Sequence, residues 1–211
     1  MEKQVEKEHY DFLSYLSKAR WNSYYHQIEE VLKNNSQNAL IIGKGDGIVP
    51  DILKKQIEEV KIFDIAEDLQ PDYLGNILEM SNIINKKFDS ILCCQVLEHL
   101  PFDKFEQCIS ELSKVTDKQV IISLPQKNIF FNIGFKIPKI PKIDINIYIP
   151  RFYKNFTFEK DGNGEHYWEL NVKNYPVIRI RKILEKYFIL KNEYTVKENS
   201  YHRFFILEKK K

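Results

Sequence analysis

The stretch ALIIGKGDGIVPDILKK, Ala39 to Lys55, decides the fold. Four apolar residues, Ala39 to Ile42, read as a short buried strand. Three alternating glycines follow, Gly43, Gly45 and Gly47, and then an amphipathic run opened by Pro50. Proline is tolerated in a first helical turn, so a helix is expected from Pro50 to Glu58. Glycines at the end of a strand let backbone N–H groups approach a ligand, because no Cβ stands in the way. The same residues would also serve a turn that does no more than join a strand to a helix.

Working outward, the rhythm of strand and helix repeats. Apolar residues recur at helical spacing from His9 to about Lys33, with no Gly or Pro. Asn34 to Asn38 then interrupt the pattern. Val60 to Ile65 is a second strand. Asp72 to Ile77 reads as a short third strand or an ordered loop. Phe88 to Leu97 begins as a continuous apolar strand, Pro101 opens a helix to about Val115, and Lys118 to Pro125 is another buried strand. Strands apolar on both faces and alternating with helices mean a parallel sheet covered by helices. Gln126 to Lys160 breaks the rhythm: Ile-Pro pairs at 137–138, 140–141 and 149–150 forbid a regular helix there. A helix near Tyr175 to Tyr187 and two successive strands, FILKNEYTV and YHRFFILEK, then predict a terminal antiparallel hairpin.

Composition narrows the function classes. The 211 residues suffice for one sizeable domain, and 43% hydrophobic with 29% charged residues is ordinary for a globular chain. A net charge of +2 gives no support to a protein that coats nucleic acid. Cys93, Cys94 and Cys108 suit buried reduced thiols, and no metal site is expected. The opening MEKQVEKEHY is too charged for a secretory leader, and no apolar run approaches the ~18 residues of a spanning helix, so a cytoplasmic protein is expected.

Asp64 raises the glycine turn above a mere connection. It ends the second strand, 21 residues past Gly43, where a carboxylate can accept hydrogen bonds from both ribose hydroxyls of an adenosine. A dinucleotide fingerprint, G-x-G-x-x-G, wants glycine at position 48, where Ile48 stands. Asp46 in the loop suits a pyrophosphate poorly, and no P-loop pattern exists. An adenosine cofactor without phosphate fits better. S-adenosylmethionine, with its sulfonium and ammonium cations, tolerates an acidic loop.

These residues resemble the class I S-adenosylmethionine-dependent methyltransferases, in the methyltransferase type 11 group, and within it members encoded among glycan or cell-surface genes. The resemblance runs through almost the whole chain: IIGKGDGIVPDIL, FDIAEDLQPDYLGNI, FDSILCCQVLEHLP, VIISLP and a late GEHYWEL, in that order. It implies that Gly43, Lys44, Gly45, Asp46 and Gly47 line the methionine and ribose part of the cofactor. It further implies that Asp64 binds the ribose diol and Ile65 packs on the adenine. Asn76 with Ile77 would lie at the adenine amino group, and Gln95, Val96 and Leu97 would run past the sulfonium. The chain departs from the family at Ile41, two residues before the first glycine, where an acidic residue is usual, and at Asn76, where Asp is common.

Methyl transfer to a hydroxyl needs a base, so two histidines are weighed. His166, in GEHYWEL, is a candidate general base or acceptor-orienting group, or else a hydrogen-bonding spacer. His99, in VLEHLP, is a second candidate, with capping or packing as its plainer role. Tyr167 and Trp168 would wall a ring-shaped acceptor or dock the insertion on the core. On the first helix Arg20, Tyr24 and Tyr25 are candidates for substrate contact, against an ordinary packed face. The insertion's Lys136, Lys139, Lys142, Arg151 and Lys154, mixed with aromatics, suit an anionic acceptor, peripheral contact with a membrane, or a solvated lid; nucleic acid ranks behind these.

The expectation is therefore an α/β protein with a Rossmann-like, doubly wound, seven-stranded, mostly parallel sheet and a C-terminal antiparallel hairpin. One methyltransferase domain is expected over 1–211: a helical lid to 36, a cofactor core over 37–125, a substrate-side insertion over 126–165, and a C-terminal helix and hairpin over 166–211. The expected function is methyl transfer from S-adenosylmethionine to a small-molecule or glycan acceptor at oxygen. The alternatives are a methyltransferase acting on RNA, protein or lipid, a catalytically silent relative that binds a partner, and an NAD-dependent oxidoreductase.

Overall fold

The computed structural model describes residues 10–137, 139, 143–151 and 166–210. The expected helix start at His9, and Lys142 and Lys154 of the insertion, lie outside the described residues.

The sheet holds seven strands: β1 (Asn38–Ile42), β2 (Glu59–Asp64), β3 (Tyr73–Leu74), β4 (Phe88–Cys94), β5 (Thr116–Pro125), β8 (Phe188–Val196) and β9 (Asn199–Lys209). Their order is β3-β2-β1-β4-β5-β9-β8. The first five run parallel, and β9 lies antiparallel between β5 and β8. Between β5 and the last helix, β6 (Asn128–Phe135) and β7 (Ile143–Pro150) form a separate two-stranded antiparallel ribbon. The helices are α1 (Phe12–Tyr15), α2 (Lys18–Lys33), α3 (Ile48–Leu53), α4 (Met80–Ile83), α5 (Phe105–Val115) and α6 (Val177–Tyr187).

The period-two alternation of β1 shows why the strands are apolar throughout. Leu40 and Ile42 enter one core with Ile109 and Leu112 of α5 and Ile180 and Leu184 of α6. Ala39 and Ile41 enter the other, with Tyr24 and Val31 of α2 and Val49 and Leu53 of α3. Helices on both faces leave no solvated side, so neither set of alternate residues is polar.

Three boundaries differ from the sequence pattern. The first helix is broken at Leu16, which is extended; the Asp11 carboxylate caps α1, and the Ser17 hydroxyl accepts from the Arg20 N–H to cap α2. A side-chain cap satisfies free N–H groups of the first turn, so a new helix can start with neither proline nor glycine between. The helix after the glycines spans Ile48–Leu53 instead of Pro50–Glu58, because left-handed Gly47 (φ 82°) turns the chain into it early. Strand β4 stops at Cys94 and not Leu97, since Gln95 adopts a left-handed φ of 56° and feeds a 3-10 turn over Leu97–His99. The Pro-rich insertion, for which no strand was expected, supplies β6 and β7. No helix among the described residues is long and apolar enough to cross a membrane.

Candidate active site

The order β3-β2-β1-β4-β5 reverses direction between β1 and β4, and the carboxyl ends of strands at such a point leave a crevice. A cavity of about 390 Å³ opens there. Gly43 to Asp46 at the end of β1, Asp64 and Ile65 at the end of β2, and Gln95 and Val96 after β4 line it. Tyr10, Tyr15, Arg20 and Tyr24 approach from the N-terminal segment, and His99, His166, Tyr201 and His202 from the other elements.

The glycine loop is held by carboxylates. Asp64 accepts from the backbone N–H of Lys44 at 2.7 Å and of Ala66 at 2.9 Å. Asp46 accepts from the Ile48 N–H at 3.1 Å and from the Tyr24 hydroxyl at 2.8 Å. The Lys44 ammonium donates to the Leu69 carbonyl at 2.6 Å. Gly43 and Gly45 have φ of 80° and 57°, a region that L side chains rarely adopt. A Cβ on Gly43 would stand 3.0 Å from Val96 Cγ2, whereas one on Gly45 would meet nothing within 4 Å. The loop is therefore packed at Gly43 and open at Gly45.

A second group surrounds His166. Its Nδ1 lies 3.0 Å from Oε1 of Glu169, which also accepts from the Tyr201 hydroxyl at 2.8 Å. Lys127 Nζ stands 3.2 Å from the other Glu169 oxygen, an ion pair without hydrogen-bond geometry. Burial works to raise the Glu169 carboxyl, but the hydrogen bonds of His166 and Tyr201 and the Lys127 charge outweigh it and hold the group below its ordinary range. The His99 ring meets the His166 ring edge-on at 4.9 Å between centroids. Glu98 is fully buried, neither of its side-chain oxygens finds a hydrogen-bond donor among the described residues, and burial pushes its carboxyl up to about 7. Glu98, His99 and His166 each bring a donor atom within 4.8 Å of the others. Tyr167 ties this group together through its backbone N–H, which donates to the Glu98 carbonyl at 2.8 Å.

Solved structures with this architecture include SAM-dependent methyltransferases. The chain is similar to an S-adenosylmethionine-dependent methyltransferase from Clostridium acetobutylicum, at TM-score 0.59 and 12% identity, over 96% of each chain. It is similar to the N-methyltransferase NodS from Bradyrhizobium japonicum, at TM-score 0.59 and 12% identity, over 92% of this chain and 89% of that one. A third likeness is to magnesium protoporphyrin IX methyltransferase from Synechocystis, at TM-score 0.57 and 16% identity, over 91% and 80%. The chain has the class I methyltransferase fold. No family model matches the sequence, and no curated protein matches it either.

Within this methyltransferase fold the expected site residues divide. Gly43, Lys44, Gly45, Asp46, Asp64, Ile65, Ile77, Gln95, Val96, Arg20, Tyr24, His99 and His166 all border the one cavity. Gly47, Asn76, Leu97, Tyr25, Tyr167 and Trp168 do not. Asn76 caps a 3-10 turn by accepting from the Leu78 N–H at 3.0 Å, and Gly75 borders the cavity instead. Leu97 is core. Tyr25 is exposed and donates to Glu29 at 3.2 Å. Trp168 is wholly buried, donates to the Leu100 carbonyl at 3.0 Å and packs on Phe102, Phe105 and Tyr175, so it builds the core and walls no acceptor.

Sequence reasoning missed Glu98, Glu169, Tyr201 and His202. Glu98 and Glu169 sit inside the two motifs that hold His99 and His166, and of the two only Glu169 bonds a histidine among the described residues. Tyr201 and His202 open an apolar strand that reads only as hairpin. Cys94 borders the cavity, and burial pushes its thiol up to about 12, so it stays protonated and is no nucleophile.

Proposed function

We propose that this chain transfers a methyl group from S-adenosylmethionine to a hydroxyl of a small-molecule or glycan acceptor. The observation that carries the reading is that one cavity is bordered both by the glycine loop with Asp64 and by a carboxylate-backed histidine. The residues fit that cofactor. The space at Gly45 admits a ligand against bare backbone, and the Asp64 oxygens keep lone pairs for ribose hydroxyls beyond the two N–H groups they accept. Acidic Asp46 and Asp64 beside the loop favour a cationic ligand over a pyrophosphate. Gly43 to Asp46, Asp64, Ile65, Ile77, Gln95 and Val96 would hold it.

When bound, S-adenosylmethionine supplies a methyl group on a sulfonium, which needs no further activation. The protein's share is positioning and one proton. The Glu169 carboxylate, holding its charge, accepts Nδ1–H of His166 and so selects the tautomer whose Nε2 is basic. His166 Nε2 would take the hydroxyl proton as the acceptor oxygen bonds to the methyl carbon, the carbon–sulfur bond breaking with its electron pair left on sulfur as a neutral thioether. Tyr201 completes the support by donating to the same carboxylate oxygen.

The test has two stages. Calorimetric titration with S-adenosylmethionine and its demethylated product should give binding that Asp64→Ala loses. An acceptor screen with labelled cofactor should then find turnover that His166→Ala lowers about 100-fold or more while cofactor binding persists. Absence of binding to the wild-type protein would make the glycine turn structural. Full turnover by His166→Ala would remove the base.

A further inference from the structure

The ribbon of β6 and β7 divides its side chains by face. Its register sets Ile129 opposite Ile149, Phe131 opposite Ile147, Ile133 opposite Ile145, and Phe135 opposite Ile143. Alternation places all eight on one face. Seven of them, all but Ile129, are between 44% and 55% exposed. Asn128, Phe130, Asn132 and Gly134 alternate with them on β6, and Phe130 packs on Tyr148 on the other face. A soluble strand pair would turn this apolar face onto a core, yet here a continuous isoleucine and phenylalanine surface faces outward, larger in kind than the scattered apolar residues of an ordinary surface.

Charge names the occupant. From Lys136 to Lys154 the chain carries Lys136, Lys139, Lys142, Arg151 and Lys154 against the single acid Asp144, while the whole protein is only +2. Lys136 and Lys139 are exposed at the closed end of the ribbon. Two copies stacked on these faces would bring two such cationic segments together, which opposes self-association. We infer that the β6–β7 ribbon lies on an anionic lipid bilayer, its apolar face in the headgroup and acyl boundary and Lys136 and Lys139 among the phosphates. Eight residues per strand at about 3.3 Å each make a face about 25 Å long. A two-stranded ribbon cannot span, because its outer edges would carry unpaired backbone groups into hydrocarbon; lying flat keeps those edges at the wet interface. The ribbon is rooted beside the candidate active site: Lys127 N–H donates to the Leu170 carbonyl at 3.0 Å, and Asn171 donates to the Asn128 side chain at 2.7 Å. This inference rests on the ribbon alone and stands whether or not the methyl-transfer reading does.

Flotation of the full chain with vesicles tests it. Binding should be about tenfold greater to phosphatidylcholine mixed with phosphatidylglycerol than to phosphatidylcholine alone, and should fall in high salt. The double variant Ile133→Asp, Ile145→Asp should lose binding, and so should Lys136→Glu, Lys139→Glu. Asn132→Asp, on the other face, should keep most of it. Because all these positions are exposed, thermal melts should match wild type. No binding to either vesicle, or equal binding by the Ile133→Asp, Ile145→Asp variant, overturns the inference. So does a dimer in solution that the same variant dissociates.

Discussion

The Tyr24 hydroxyl donates to Asp46 at 2.8 Å, joining α2 to the glycine loop across 22 residues of chain. The other oxygen of Asp46 accepts from the Ile48 N–H at the start of α3. One carboxylate thus sets both the loop and the segment that covers it. Burial, and then the neighbouring Tyr15 and Asp46, push the Tyr24 phenol above its ordinary range, so it donates at any working pH.

Tyr24→Phe deletes that donor and leaves the ring's packing. A net hydrogen bond contributes about 1 kcal/mol to stability, so the melting temperature should fall by about 2–4 °C, and the loosened loop should bind the cofactor more weakly by calorimetry. An unchanged dissociation constant would mean that the covering segment does not order the loop.

Gly43 and Gly45 should separate stability from binding. Both have positive φ, and adding a Cβ there costs about 1–2 kcal/mol of strain. Gly43→Ala also presses on Val96, so its loss should appear chiefly in denaturant unfolding. Gly45→Ala points into open space, so it should weaken cofactor binding well beyond its effect on unfolding. Unchanged cofactor binding by Gly45→Ala would remove Gly45 from the cradle.

Glu169→Gln keeps the shape beside His166 and removes the charge. If the carboxylate selects the tautomer, turnover should fall by about 10- to 100-fold with cofactor affinity intact. Tyr201→Phe should cost less, because the His166 bond to Glu169 remains. A Glu169→Gln enzyme as fast as wild type would assign the pair to packing.

His202 sets a pH dependence. Burial, with Arg20 and His166 nearby, lowers it to about 3, and its Nδ1 has no hydrogen-bond partner among the described residues. The unfolded chain takes up this proton near pH 6.5 while the folded protein does not. This contribution is therefore whole above pH 6.5 and declines as the pH falls toward 3, by up to about 1.4 kcal/mol per pH unit. His202→Gln should flatten the melting-temperature curve between those limits. Superimposable curves for the two proteins would exclude His202 as the cause.

Much of the fold was legible because it rests on local periodicity. Strands β1, β4 and β5 are apolar on both faces, and that pattern survives any tertiary detail. The ribbon was hidden by its prolines, which read as breakers, although Pro150 only ends the second strand. The break at Leu16 was hidden because capping by Ser17 leaves no gap in the hydrophobic pattern.

What the sequence determined by itself was the order of the strands in the main sheet along the chain, the glycine loop and Asp64, since each is written within a few consecutive residues. What only the tertiary structure decided was which polar groups meet. Glu169 and Tyr201 are 32 residues apart and share one hydrogen bond beside His166. Trp168, two residues from His166, turns into the core instead of the cavity. Neighbours along the chain can point to opposite sides, and partners across a cavity leave no periodic trace; packing alone assigns them.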